Sequence, residues 1–184
     1  MTIAEMALPG VLCITPKVFG DARGFFVETY REQALLERQL STRFVQDNQS
    51  RSARGVLRGL HYQLVQPQGK LVRVSAGAVF DVAVDVRRGS PHFGQHVAMV
   101  LDDITHRQMY IPPGFAHGFC VLTETADFVY KCSDYYHPAS EAGIRFDDPA
   151  LGIAWPVLDL PYALSAKDQT LPLLVDQPLL PVYR

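Results

Sequence analysis

The chain has 184 residues, 48% of them apolar and 20% charged, which suits one domain, residues 1–184, with a single core. A formal net charge of −2 excludes binding to nucleic acid through bulk electrostatics, although local basic spots can still grip a small anion. The thiols Cys13, Cys120 and Cys132 are scattered without a CxxC pair, a pattern that points to reduced intracellular cysteines.

In chain order, Met1 to Pro16 lacks the basic head and apolar run of a signal peptide, and no stretch reaches the roughly 20 apolar residues of a membrane span. No membrane partner and a cytoplasmic location are therefore expected. Strands are predicted at Val11–Ile14 and Gly24–Tyr30, followed by a helix over Arg31–Leu40, where Ala34, Leu35 and Leu36 form an apolar stripe. Val56–Gln63 is the next strand. Lys70–Val86 divides at Ala76-Gly77 into two strands joined by a tight turn. In the second of these, Phe80, Val82, Val84 and Val86 alternate with Asp81 and Asp85, which predicts two unlike faces. His96–Leu101, Arg107–Ile111, Gly118–Leu122 and Asp127–Tyr135 complete the strands. A short helical turn is expected near Ser165–Asp168, and Pro156 to Pro181 reads as extended chain packed on the outside. Many short strands, frequent turn signals and few helices make an all-β sandwich or barrel.

Two histidines sit in informative settings. His61 lies within a strand, where an imidazole satisfied by a backbone carbonyl competes with a chemical role. His117 follows Ile-Pro-Pro-Gly-Phe-Ala and opens a strand after a Pro-Gly turn, a position facing a barrel mouth. Pro112, Gly114 and His117 resemble the second motif of the cupin superfamily, Pro-x-Gly-x-x-His, which implies a cupin-type jelly-roll β-barrel with a few short helices. Metal-binding cupins carry a His-x-His pair and a later Glu in the first motif. Here His61 is followed by Gln63, and no Glu occurs in the Gln66–Lys70 loop, so only two of four ligands remain. No metal site is expected, and both histidines are available for proton chemistry.

Arg-Gly-Leu-His-Tyr-Gln (58–63), Gly-Lys-Leu-Val-Arg (69–73), Phe-Asp-Val-Ala-Val-Asp (80–85), Ile-Pro-Pro-Gly-Phe-Ala-His-Gly-Phe (111–119) and Tyr-Lys-Cys-Ser-Asp-Tyr-Tyr (130–136) resemble the dTDP-4-dehydrorhamnose 3,5-epimerases. So do Pro-Lys-Val-Phe-Gly-Asp-x-Arg-Gly-Phe-Phe (16–26), Val-Gln-Asp-Asn (45–48) and Leu-Ser-x-Lys-Asp (164–168), in order over nearly the whole chain. The resemblance implies inversion of carbons 3 and 5 of a dTDP-linked 4-keto-6-deoxyhexose. Each carbon flanks the ketone, so its proton can leave as an enolate. Inversion needs a base on one face and an acid on the other, without a redox cofactor. Relatives that invert one carbon share this framework, and a non-catalytic sugar-nucleotide-binding cupin is the reading from another class.

The resemblance further implies His61 as base, Tyr130 as acid and Lys70 as the charge that stabilises the enolate oxygen. It assigns Asp168 as the partner orienting His61, with Asp81 as a local rival on a barrel strand. Tyr130 alternates with Phe128 and Cys132, so all three share a face, and a phenol there needs a lowered pKa or a basic neighbour to exchange protons quickly. For the diphosphate, Arg23 and Arg58 are the expected donors, with His117 assisting. Gln46, Asn48 and Glu28 suit sugar or base hydrogen bonds, and Phe19, Phe26 and Tyr136 are flat surfaces for thymine. Glu141 and Lys167 join the binding set by the same match. Strict alternation puts Arg58 and His61 on opposite faces, so a bulge at Gly59 is expected. The family's dimers cross N-terminal strands, which would place Phe19, Arg23, Phe26 and Glu28 on the neighbour's substrate in a homodimer.

Overall fold

A computed structural model describes residues 1–38, 40 and 43–183. The chain runs β1 (Thr2–Glu5), β2 (Leu12–Thr15), β3 (Val18–Asp21), β4 (Gly24–Val27), α1 (Glu32–Leu36), β5 (Gln46–Ala53), β6 (Leu57–Gln63), β7 (Lys70–Ala76) and β8 (Ala78–Asp85). It continues through β9 (His96–Asp102), β10 (Gln108–Ile111), β11 (Phe115–Val121), β12 (Thr125–Cys132), β13 (Glu141–Gly143) and α2 (Ala166–Gln169). Two antiparallel sheets form, one ordered β1-β2-β10-β7-β12-β5 and the other β13-β6-β11-β8-β9. β3 and β4 pair separately as a hairpin. This is the cupin-type jelly roll expected from the motifs.

The main core lies between the sheets. Val72, Val74, Met109 and Phe128 come from the six-stranded sheet, and Val79, Ala83, Val97 and Phe119 from the five-stranded one. A second cluster covers the outer face of the five-stranded sheet, where Ile153, Trp155 and Leu174 from the C-terminal region pack on Val82 and Val84. A third sets Leu35 of α1 against Leu12, Leu71 and Tyr110.

The divided 70–86 run is confirmed, because β7 and β8 belong to different sheets and the chain changes sheet at Gly77. Gly77 has φ +79, a backbone region that favours glycine. The two faces of β8 alternate as expected, but both are buried. Val82 and Val84 lie under the C-terminal region, while Asp81 and Asp85 are completely buried. Asp85 is held by Arg87 and Ser90, at 2.7 and 2.6 Å.

Several boundaries differ from expectation. Gly24–Tyr30 contracts to β4, ending at Val27, and Asp127–Tyr135 ends at Cys132. β11 starts at Phe115, so His117 is its third residue rather than its first. The helix over Arg31–Leu40 is one turn, Glu32–Leu36, because Arg31 provides no side-chain cap and only Leu35 of the stripe is buried; Gln39 lies outside the described residues. β1, β3, β5 and β13 were not anticipated. β5 reads QDNQSRSA, and a polar edge strand of this kind carries no apolar alternation to detect.

Candidate active site

A cavity of about 510 Å³ opens between the sheets, lined by His61, His117, Arg58, Lys70, Tyr130, Lys167 and Asp168 together with Phe119 and Phe128. His61 and His117 enter from the five-stranded sheet, whereas Lys70 and Tyr130 enter from the six-stranded one. The imidazole of His61 and the phenol of Tyr130 therefore stand on opposing walls.

His61 Nε2 lies 2.6 Å from Asp168 Oδ1. An ionised carboxylate only accepts, so Nε2–H donates and Nδ1 keeps its lone pair. Asp168 is 3% exposed and sits in the first turn of α2, where Ser165 Oγ caps its backbone N–H at 3.1 Å. Burial pushes its carboxyl up, but hydrogen bonds from His61, Ser165 and the Gly59 amide, with the charge of His61, hold it below the usual carboxylate range. Part of the Pro156–Pro181 segment thus does more than pack outside, because it delivers Asp168 into the barrel. Asp81, the rival orienter, is paired with His117 instead, its two oxygens 3.1 and 3.0 Å from Nε2. Burial pushes the Asp81 carboxyl up, against the pull of His117 and Lys70.

The bulge at Gly59 is present. Between the pairs His117↔His61 and Phe119↔Arg58, β6 carries one residue more than β11, which turns both Arg58 and His61 into the cavity. Gly59 has φ +127, and a Cβ there would lie 2.6 Å from Gly118 Cα. The Arg58 guanidinium is anchored by Ser52 Oγ at 3.0 and 3.3 Å. Ser52 carried no recognisable signal in the sequence. Ser165, by contrast, stands three residues before Asp168 and is a legible N-cap.

Tyr130 packs on Phe128 with ring centroids 5.9 Å apart. Burial, Cys132, Glu141 and Tyr136 raise its phenol above the ordinary tyrosine range, against Arg58. Of the two expected aids, a lowered pKa or a basic neighbour, the neighbour Arg58 acts in the lowering direction, but desolvation outweighs it. A phenol held protonated remains suited to donating a proton. The side chain of Lys70 makes no hydrogen bond or ion pair among the described residues, and desolvation lowers its ammonium, opposed at longer range by Cys132, Asp81 and Glu141.

The binding set divides. Glu141 accepts from Tyr136 Oη at 2.7 Å and pairs with Lys167 Nζ at 2.6 Å, which ties both to the rim. Gln46 donates to Asn48 and accepts from the Tyr136 amide; neither Gln46 nor Asn48 lines the cavity. Phe19, Arg23 and Phe26 line a separate concavity on the β3–β4 hairpin. Arg23 pairs with Asp21 at 2.6 Å, its side chain 89% exposed, and Glu28 pairs with Arg31 at 2.8 Å. A single chain does not bring these four to the cavity. Gln63, at the second first-motif position, spends its amide on Gln66 O, Tyr135 O and the His137 N–H, tying two loops together. Among the described residues, no group of three His, Cys, Asp or Glu is placed to hold a metal ion.

The family model for dTDP-4-dehydrorhamnose 3,5-epimerase matches residues 5–176. The chain belongs to this family. It is 56% identical over 170 residues to the dTDP-4-dehydrorhamnose 3,5-epimerase of Pseudomonas aeruginosa, covering 92% of this chain and 93% of the relative. The dTDP-6-deoxy-D-glucose-3,5-epimerase of Legionella pneumophila, solved in complex with dTDP-4-keto-L-rhamnose, superposes with a TM-score of 0.95 at 53% identity over 100% of this chain and 98% of that one. A 3′-monoepimerase from Streptomyces bikiniensis, solved with dTDP-quinovose, gives a TM-score of 0.92 at 36% identity, over 97% and 92% of the two chains. The epimerase fold is thus shared by enzymes of one and of two inversions, while the higher identities belong to the double epimerases.

Proposed function

We propose that this member of the family is an isomerase, built as one cupin-type domain, that converts dTDP-4-dehydro-6-deoxy-D-glucose to dTDP-4-dehydro-L-rhamnose in dTDP-L-rhamnose biosynthesis. The observation that carries the reading is the placement of an Asp168-oriented imidazole and a protonated phenol on opposite sheets of one cavity. His61 Nδ1 takes the proton from the carbon beside the ketone. Electrons move into the carbonyl, and the developing oxyanion is met by Lys70, whose ammonium has no direct ion-pair partner among the described residues. Tyr130 returns a proton to the opposite face, and the carbon is inverted. The same pair serves carbon 3 and carbon 5, since both flank one carbonyl.

Arg58 and Lys167 supply positive charge toward the diphosphate or sugar, and Gln46, Asn48, Tyr136 and Glu141 build the rim for the nucleotide. Arg23, Glu28, Phe19 and Phe26 complete this rim from a second protomer in a homodimer that exchanges its N-terminal hairpin. Support for the exchange comes from the chain itself: Phe19 and Phe26 are 51% and 67% exposed on a hairpin paired to neither main sheet. The free thiols Cys13, Cys120 and Cys132 fit a cytoplasmic location.

The test is incubation with dTDP-4-keto-6-deoxy-D-glucose in D₂O. Deuterium at carbons 3 and 5 of the inverted product supports the double epimerase; label at one carbon makes the chain a single-site epimerase, and no label removes the enzymatic reading.

A further inference from the structure

Asp81 is wholly buried behind the cavity wall, on the same inward face of β8 as Ala83. Its side-chain hydrogen bonds among the described residues go to His117. Its two carboxyl oxygens stand 3.0 and 3.1 Å from the single nitrogen Nε2 of His117, and Lys70 is the other charge acting on it. The His117 ring is held a second time, stacked on Phe128 at 5.8 Å between centroids and 22° between planes. The stacked face fixes the plane of the ring, and turning the ring over within that plane would give up both carboxylate contacts. Nδ1 forms no hydrogen bond among the described residues, yet none of their buried side-chain nitrogens lacks a partner. The open edge of the ring is therefore its Nδ1 edge, and it opens on the cavity that His117 lines.

We infer that Asp81 is a positioning residue that locks His117 as the Nε2–H tautomer, so that Nδ1 presents a lone pair to a sugar hydroxyl rather than a charge to the diphosphate. A carboxylate acceptor forces the proton onto Nε2, because a neutral imidazole has one donor and one acceptor nitrogen. A lone pair repels phosphate oxygens, which are themselves acceptors, but it matches the O–H donors of a hexose. The cavity then separates its duties. Arg58 and Lys167 carry charge for the diphosphate, while His117 reads the sugar and holds it between His61 and Tyr130. This inference rests on the assignment of the cavity as the reacting site.

The experiment combines Asp81→Leu with ¹⁵N-histidine NMR, dTDP titration and turnover of the dTDP-4-keto-6-deoxy sugar. Leucine is of similar size but offers no acceptor, so a proton left on the buried Nε2 would be unsatisfied and moves to Nδ1, which faces the cavity, inverting the polarity of the open edge. The expected results are an Nε2–H signature in the native enzyme and an Nδ1–H signature in the variant. kcat/KM should fall roughly tenfold to a hundredfold, the scale of one lost and one unsatisfied hydrogen bond. The affinity for dTDP, which has no hexose, should stay within about twofold. A native Nδ1–H tautomer, unchanged kcat/KM, or dTDP affinity falling in step with kcat/KM would each overturn the inference. If Asp81→Leu does not fold, the native spectrum still tests the tautomer, and His117→Ala tests dTDP affinity against turnover. Full turnover in His61→Ala would instead remove the underlying site assignment.

Discussion

His61 on β6 and His117 on β11 are direct cross-strand partners, yet each gives its Nε2 to a different aspartate. Asp168 arrives from α2 near the C-terminus, while Asp81 stands on β8, the other neighbour of β11. Two imidazoles side by side are thereby oriented independently.

Exchange and inversion should separate in single variants. In Tyr130→Phe the base still removes and returns a proton on its own face, so deuterium enters the substrate from D₂O while inverted product falls by about 10²- to 10⁴-fold. His61→Ala should lose both by a similar factor, with an unchanged circular dichroism spectrum. Mass spectrometry and NMR of the recovered sugar read the two outcomes.

The alkaline limb of activity should follow Lys70. Its ammonium is lowered by desolvation and Tyr130 is raised by burial, so as pH rises the lysine loses its active, charged form first. The limb should therefore begin below the ordinary lysine value of about 10.4, and residual activity of Lys70→Arg should lack it, because guanidinium stays charged. Profiles of kcat/KM from pH 6 to 10 are the measurement.

Acid stability should carry a contribution from Asp168. Its folded pKa lies below the unfolded value of about 3.9, so its stabilisation is complete above that value and is lost as pH falls through the lowered folded value. Urea midpoints compared at pH 6 and in strong acid should converge for the native chain and Asp168→Asn as pH drops, with the native chain the more stable at pH 6.

Gly59→Ala should destabilise the fold by about 1–3 kcal/mol from its φ alone, and further through contact with Gly118. A lowered Tm with activity reduced beyond the loss of folded protein is expected, since the bulge aims both Arg58 and His61.

Mixed dimers test the exchanged hairpin. Arg23→Ala and His61→Ala homodimers should each be nearly inactive. If Arg23 serves the partner's cavity, one protomer of the mixed dimer receives both defects and the other receives none, so mixing should restore about half of native turnover per heterodimer. Activity that fails to rise, with heterodimers confirmed by native mass spectrometry, places Arg23 in its own protomer's site.

Periodicity and punctuation made much of the barrel legible: β7 and β8 are bounded where Ala76-Gly77 breaks the run, and β9 begins where its alternation begins. β5 escaped because its side chains are polar on both faces, so its strand state follows from pairing with β12 rather than from its own pattern. Asp81 and Asp85 marked only the polar one of two unlike faces, for a related reason. Alternation reports that two faces differ, but not that both are covered.

The motifs that contain His61 and Tyr130 placed the chain in its family, and the base and acid roles of these two residues are what that resemblance implies. What they face depended on the tertiary structure. Sequence determines local geometry and chemical type, whereas the partner of a buried group is set by packing between distant segments. Asp168 is 107 residues from His61 and reaches it only through the C-terminal return across the sheet. Asp81 lies much nearer in sequence, yet strand register gives it to His117. The raised Tyr130 phenol arises in the same way, from desolvation inside a closed barrel that no short stretch of residues reveals.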